Sequence, residues 1–562
     1  MKCTPLFLLL VIVANTQAEP IIVSWYTEGS NRYARIWATQ GQESIERGGG
    51  GTTSLTTWDS ADYSGVMVGD QPLPAYAGIQ GVSFSNDYVY IKSTGLATNT
   101  MGPWFLNDAQ TQAFPSFPGN AAILYRFPRT TSYERAYEPV SRTPTNVGSC
   151  GLFVDGVPLF NTSDTFSYDT SAGGDQEPTN SNTGDGYWNR DAFTNEGVTF
   201  DAGNAHQAME QFHYHASPTA LRSALGDSVD YDPAVVYEGI GRASPYSENF
   251  NGSHSPIIAW VNDGLPMYGP YGYGDPLDPT SPVRRMVSGY QKRDGGNGSI
   301  DLRATGRTTL PQWQVSQGKE LTTVLNSSFY GPPVSETFTL GHYMEDYCFK
   351  GDLISDSSHE LFEVYEDPSN QGAFDLAKHY DLNEFNVRWC ITPEFPRGTW
   401  AYFTNVEADG TPAYPYNLAY QYFGDANMAE GIAIDDIETL GVTVHFPGAV
   451  SQGPINKSIE ADIKTGTVTI TWESIEGGSY RVETSEALDD WETSEVNNSL
   501  FVSDKIMAID VLGTHRFYRL TRTGVQAYDE TEFSITAGVG GPPGGGPPMG
   551  GGPPMGGGPP LR

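Results

Sequence analysis

Basic side chains are scarce. Only 31 Lys and Arg stand against 67 Asp and Glu, a formal charge of -36 over 562 residues. A field of that sign repels nucleic acid and anionic membrane surfaces. Cysteine is scarcer still, at four, which excludes a disulfide scaffold; a chain well beyond the roughly 250–300 residues that one core spans needs no such staples. Beyond the N-terminus no apolar run reaches the about 20 residues of a membrane-spanning helix. Common enzyme signatures are also missing: no G-x-S-x-G elbow, no CxxC pair, no Gly-rich phosphate loop followed by Lys-Ser/Thr, no H-E-x-x-H. The nearest approach to the last, His359-Glu360-Leu361-Phe362-Glu363, ends in Glu and is no zinc helix.

What fills the chain instead is Gly (64), Pro (39) and aromatic residues (12%), with only 17% charged. That mixture suits turn-rich β structure organised in several units. Met1 and Lys2, the apolar stretch from Leu6 to Ala14 and the small-residue signal Thr16-Gln17-Ala18 read as a secretory signal peptide over 1–18. Its removal leaves 30 basic against 67 acidic side chains, a charge of -37. The expectation is a secreted, extracellular protein (or one of the periplasm or cell surface) at home in high salt, where self-repulsion is screened. Cys3 precedes the apolar stretch and leaves with it, so the mature set is Cys150, Cys348 and Cys390. Cys348 and Cys390 are the expected disulfide pair on sequence distance, with Cys150 free, although spacing does not fix connectivity.

Residues 19–450 read as one large β-rich region. Tyr33-Ala34-Arg35-Ile36-Trp37 and Tyr88-Val89-Tyr90-Ile91-Lys92 have the alternation of half-buried strands. From about 161 to 205 the chain is rich in Asp, Asn, Gly and Thr and reads as long loop. A second unit over 455–525 carries alternating runs such as Thr467-Val468-Thr469-Ile470-Thr471-Trp472, the pattern of a small β-sandwich with a generic immunoglobulin or fibronectin look. The end, 538–562, is a near-repeat of GGGPPM that has nothing apolar to offset ordering entropy, and reads as a disordered tail.

Four of the nine histidines, His206, His213, His215 and His254, lie in one 49-residue window, where even spacing gives about 0.8. Two of them form Phe212-His213-Tyr214-His215. In a strand His213 and His215 project from one face and Phe212 and Tyr214 from the other, so the pair is a ready bidentate metal platform. Imidazoles suit Cu or Zn. A third ligand is expected from His254, from His206 or from a carboxylate such as Asp263. The competing role is structural: two histidines in an aromatic strand also serve to bond buried carbonyls. A third possibility is direct acid/base catalysis by an unligated cluster.

These residues carry a family resemblance. The segment FHYH (212–215), followed by HSPIIAWVNDGLPMYGPYGYGDP (254–276), resembles the YHYH-domain family of secreted bacterial proteins. YARIW (33–37), YIKSTG (90–95), MGPW (101–104), GDGYWNRDAF (184–193), DLNEFN (381–386), ITPEFPRGTWAYF (391–403) and PAYPY (412–416) extend the likeness over most of 20–425, with a motif core at about 140–425. Members often have cysteines flanking the motif where this chain has Gly203 and Ala220, which implies loss of one bridge. The resemblance implies a domain and the importance of its histidines, and no particular reaction.

In the second segment Asp263-Gly264 and Pro266 are turn chemistry, and Tyr268, Tyr271 and Tyr273 interleave with Gly and Pro as a tight aromatic loop. Such a loop serves as a wall for a carbohydrate or small molecule, or packs as core with its hydroxyls bonded. Drawn beside the HxH strand, it would roof a pocket over the histidines. The run from His342 to Cys348 is a weaker ligand group, and the Asp-rich stretch 164–201 has oxygen for Ca²⁺ without EF-hand spacing. The sequence thus points to an extracellular metal-binding protein holding Cu or Zn through His213, His215 and His254. In this reading His206 is in reserve, and Asp263, Tyr268, Tyr271 and Tyr214 line the pocket or stand behind the ligands. An open position on the metal would make it a metalloenzyme. The alternative is a metal-free carbohydrate-binding or adhesion protein.

Overall fold

The computed structural model describes residues 20–535 apart from 64–68, 138–141, 146–147, 177–183, 316–323, 356, 358, 427–440, 454, 463–466, 489, 499–505, 512–516 and 531–533. The expected signal peptide and the Gly/Pro tail lie outside the described residues. The protein is mainly β, its few helices short. None is long and apolar enough to cross a membrane among the described residues.

Two sheets dominate. The first runs, in spatial order, Thr443–Phe446, Ile79–Phe84, Tyr88–Ser93, Ile123–Pro128 and Ser534–Ile535. The second has eight strands, in the order Val387–Cys390, Thr399–Phe403, Pro266–Tyr268, Ile257–Val261, Ser149–Phe153, Pro158–Phe160, Gln211–Tyr214 and Ala205–Ala208. Its central strands are buried on both faces, and Ile257–Val261 accordingly reads IIAWV without a polar residue. One apolar cluster extends from Ile22 to Phe423 and includes Ile36, Val82, Ile91, Leu152, Trp260 and Tyr402. It packs the two sheets together, each fully buried aliphatic side chain contributing about 1.5–3 kcal/mol.

The small module consists of two three-stranded sheets, Ile455–Asp462 with Thr467–Glu473 and Ile506–Val511, and Glu492–Asn498 with Gly478–Ser485 and Phe517–Val525. Val468, Ile470 and Trp472, the apolar positions that the Thr alternation assigns to one face, form its core with Tyr480 and Val482 of the strand Gly478–Ser485. It is tied to the N-terminal segment through Glu476, which accepts the Tyr33 backbone N–H at 2.8 Å and pairs with Arg35, while the Tyr76 hydroxyl donates to the Glu476 carbonyl at 2.7 Å. Past the module the chain returns to the first sheet, Ser534–Ile535 pairing in parallel with Ile123–Pro128.

Two sequence expectations are corrected here. The stretch 161–205 is no long loop: it contains the strands Ser163–Asp169, Gly174–Gln176 and Asn189–Asp191 and the helix Ala192–Glu196. Its polar side chains build this structure. Asp169 Oδ1 accepts the N–H groups of Ser171 and Ala172, and Asp191 caps the helix by accepting from Thr194 N at 2.7 Å. The Cys348–Cys390 bridge is absent as well, since Cys150, Cys348 and Cys390 are all buried free thiols. Cys348 pairs with Gln291 in a two-stranded ribbon and Cys390 with Thr399 in the eight-stranded sheet. Separate sheets hold them, so nearness in sequence does not bring them together.

Candidate metal centre

The strands Ala205–Ala208 and Gln211–Tyr214 form a hairpin at the edge of the eight-stranded sheet. A left-handed Met209 (φ 56°) helps turn it. In its antiparallel register His213 lies directly opposite His206, and residues so paired share a face. His215, two residues on and just past the strand, shares that face too. Phe212 and Tyr214 project the other way, into the main core. The pleat thus delivers three imidazoles to one spot, each with a ligating atom within 4.8 Å of the others'. Burial is nearly complete: His206 is 5% exposed, His213 1% and His215 4%.

Each ring is fixed by its Nδ1. His213 Nδ1 donates to the Gln211 carbonyl at 2.9 Å and His215 Nδ1 to the Asn161 carbonyl at 2.7 Å. His206 Nδ1 lies 2.7 Å from Thr199 Oγ1, whose own hydroxyl hydrogen goes to the Glu196 carbonyl at 2.6 Å, so the hydroxyl accepts from the ring. With the proton on Nδ1 in all three, every Nε2 presents a lone pair, and the Nε2 atoms of His213 and His215 stand 3.0 Å apart. Burial depresses all three basicities. For His206 the charges of His213 and His215 add to it, for His213 that of His215, and His215 falls to about 4. Phenyl rings close the surroundings. Phe160 stacks on His213 at 3.9 Å, Phe200 meets His206 edge-on at 4.8 Å, and Phe114 lies 5.8 Å from His206.

One functional group escaped the sequence reading. Glu196, the last residue of the helix Ala192–Glu196, places Oε2 at 3.4 Å from His215 Nε2 and 3.6 Å from His206 Nε2. That oxygen is buried and has no hydrogen-bond partner. Burial, with the Asp164 carboxylate adding to it, holds the Glu196 carboxyl well above its usual range. The only sequence signal was the capping Asp191 and the Gly197 that ends the helix. A Cβ on Gly197 would come within 2.7 Å of Ile240, and the helix runs on into a 3-10 turn over Gly197–Thr199.

The other expected residues are elsewhere. His254 is not a member of the cluster. Its ring sits among Tyr268, Tyr273 and Phe403, with Nδ1 donating to the Ser255 carbonyl at 2.7 Å. It precedes the strand Ile257–Val261, which is three strands removed from Gln211–Tyr214 in the sheet, and sequence nearness concealed that. Asp263 serves its own turn: it accepts from Leu265 N, Gly424 N and the Tyr402 hydroxyl at 2.7–3.1 Å. Tyr268 and Tyr271 are buried, 0% and 6% exposed. The Tyr268 hydroxyl lies 2.9 Å from Thr392 Oγ1 and 2.9 Å from Glu394 Oε2. The aromatic loop is therefore packed core and roofs no pocket over the histidines. Tyr214 faces Asp155, with its hydroxyl 3.5 Å from the carboxylate. The Asp-rich stretch spends its carboxylates internally, Asp164 on Arg190 at 2.7 Å and Asp175 on His342 and Tyr343. The three-histidine group alone gathers metal ligands among the described residues. Neither of two cavities of about 210 and 410 Å³, at the junction with the C-terminal module, is lined by a residue of this cluster.

The flanking positions that the family resemblance marks for cysteines are adjacent. A Cβ built on Gly203 lies 3.5 Å from the Cβ of Ala220, at the short end of the range a disulfide spans.

No curated protein and no solved structure matches the chain. A family model for YHYH proteins matches residues 125–415, more than half of the 562 residues and the whole of the histidine hairpin with Glu196. The chain is a member of the YHYH protein family.

Proposed function

We propose that this is a metal-binding protein that holds one Cu or Zn ion through His206, His213 and His215, exported to an extracellular, periplasmic or cell-surface compartment. The supporting observation is the pair of Nε2 atoms 3.0 Å apart, each on a ring whose Nδ1 faces an oxygen that can only accept. Two lone pairs at that distance in an apolar, phenyl-lined site repel. A shared cation turns the repulsion into ligation. Donors around an ion at about 2.0–2.1 Å are no more than about 4.2 Å apart, so the cluster needs only a small contraction from its 4.8 Å limit. The Nδ1 bonds to Gln211, Asn161 and Thr199 are the outer partners that fix tautomer and ring plane in metal sites. The bound ion would supply Lewis acidity. The residues hold it, orient it and keep water away.

Metal analysis of the purified chain beside a His213→Ala/His215→Ala variant tests this. The reading requires about one equivalent of Cu or Zn in the wild type and none in the folded variant. A metal-free wild type that stays metal-free after dialysis against either ion rejects it. The carbohydrate-binding alternative gains nothing from Tyr268 and Tyr271, which are packed inside.

A further inference from the structure

We propose that Glu196 is the fourth ligand, completing a His3Glu site whose one wet edge is the carboxylate; this rests on the three-histidine reading. Three features of Glu196 carry it. Its Oε2 lies within 3.4–3.6 Å of two of the three imidazole Nε2 atoms, a separation that a common ion bridges. The same oxygen has no hydrogen-bond partner although it is buried, and a buried carboxylate oxygen without a hydrogen bond costs free energy unless something is bound to it. Finally, the backbone that presents Glu196 also positions a histidine. The Glu196 carbonyl accepts the Thr199 hydroxyl, and Thr199 in turn accepts from His206 Nδ1. The Glu196 backbone and the His206 imidazole are thereby set relative to one another by two short hydrogen bonds.

The consequence is a choice of ion. Three neutral imidazoles alone suit either oxidation state of copper; an anionic oxygen added to them favours a divalent ion, Zn²⁺ or Cu²⁺, in four-coordinate geometry. The Glu196 side chain is 25% exposed, while the His206 and His215 side chains are 6% and 4% exposed. The ion therefore exchanges past the carboxylate.

Cobalt(II) chloride titrated into the full chain is the probe, because its visible d–d bands report coordination number. Wild type should show the intense bands of a four-coordinate Co²⁺ site. Glu196→Ala and Glu196→Gln should both lower cobalt affinity at least 10-fold and alter the bands, and Glu196→Asp should restore part of the affinity. Thermal melting of the cobalt-free variants checks that they fold. Unchanged bands and affinity in folded Glu196→Ala and Glu196→Gln, with cobalt lost in His213→Ala/His215→Ala, overturn the Glu196 assignment and leave the three-histidine reading standing. A wild-type chain that takes up no cobalt, copper or zinc overturns both.

Discussion

His206 and His213 face each other across a tight hairpin, paired residue to residue with ring centroids 4.7 Å apart. This cross-strand pair makes His206, not His254, the third member of the cluster. His206→Ala should lower metal affinity 100-fold or more, since it removes a ligand. His254→Ala should leave metal content unchanged, because its ring sits with Tyr268 and Tyr273. Competition against a chromogenic chelator measures both. Equal losses in the two variants would contradict the assignment.

In the proposed site Thr199 would act through His206 and touch no ion itself. Thr199→Val keeps the volume and removes both the acceptor for His206 Nδ1 and the donor to the Glu196 carbonyl. Losses of outer partners of this kind run at about 10–100-fold in metal affinity. The expected signature is weaker binding with unchanged metal stoichiometry at saturation, while Thr199→Ser retains near wild-type affinity.

Stability should fall as pH rises towards and past neutrality. Asp155 is fully buried, and burial lifts its carboxyl to about 7; Asp191 and Asp201 behave alike. A carboxyl with a folded value raised above its unfolded one holds its proton better when folded. The stabilisation is full below about pH 4 and lost as pH climbs through about 7. Melting temperatures at low salt should therefore drop between pH 5 and 8. Asp155→Asn, which keeps one acceptor oxygen for Val157 N and removes the ionisable group, should flatten part of that drop.

The adjacency of Gly203 and Ala220 predicts that Gly203→Cys/Ala220→Cys oxidises to a bridge across the base of the histidine hairpin. Closing a loop of this size stabilises by about 3 kcal/mol at most. Thiol titration should find no more free thiol than in the unsubstituted chain, and melting should show a temperature that falls on reduction. Metal content should be unaffected.

Glu476 ties the C-terminal module to Tyr33 and Arg35. Glu476→Ala leaves the Tyr33 N–H without its acceptor, at a cost of about 1–3 kcal/mol. The melting temperature should fall while metal binding persists, because the module adds no ligand to the histidine cluster.

Strand alternation and turn chemistry made much of this legible. The i, i+2 spacing of His213 and His215 alone placed them on one face, opposite the buried Phe212 and Tyr214. His206 needed the hairpin register, which depends on where Met209 turns the chain. His254 misled because it is near in sequence but lies across the sheet. Glu196 had no periodic signal. It ends a one-turn helix in a stretch whose Asp and Asn content reads as loop, and only the Asp191 cap marks that helix in the sequence. The free cysteines follow the same rule, as pairing depends on sheet membership and not on sequence distance.

A crystal of the full chain, grown after dialysis against zinc and measured on both sides of the zinc absorption edge, decides the matter most directly. The expected result is a single strong anomalous peak about 2.0–2.2 Å from the Nε2 atoms of His206, His213 and His215. A map with no peak there, and with His213 and His215 still 3.0 Å apart nitrogen to nitrogen, would show that the histidines serve the fold and hold no metal.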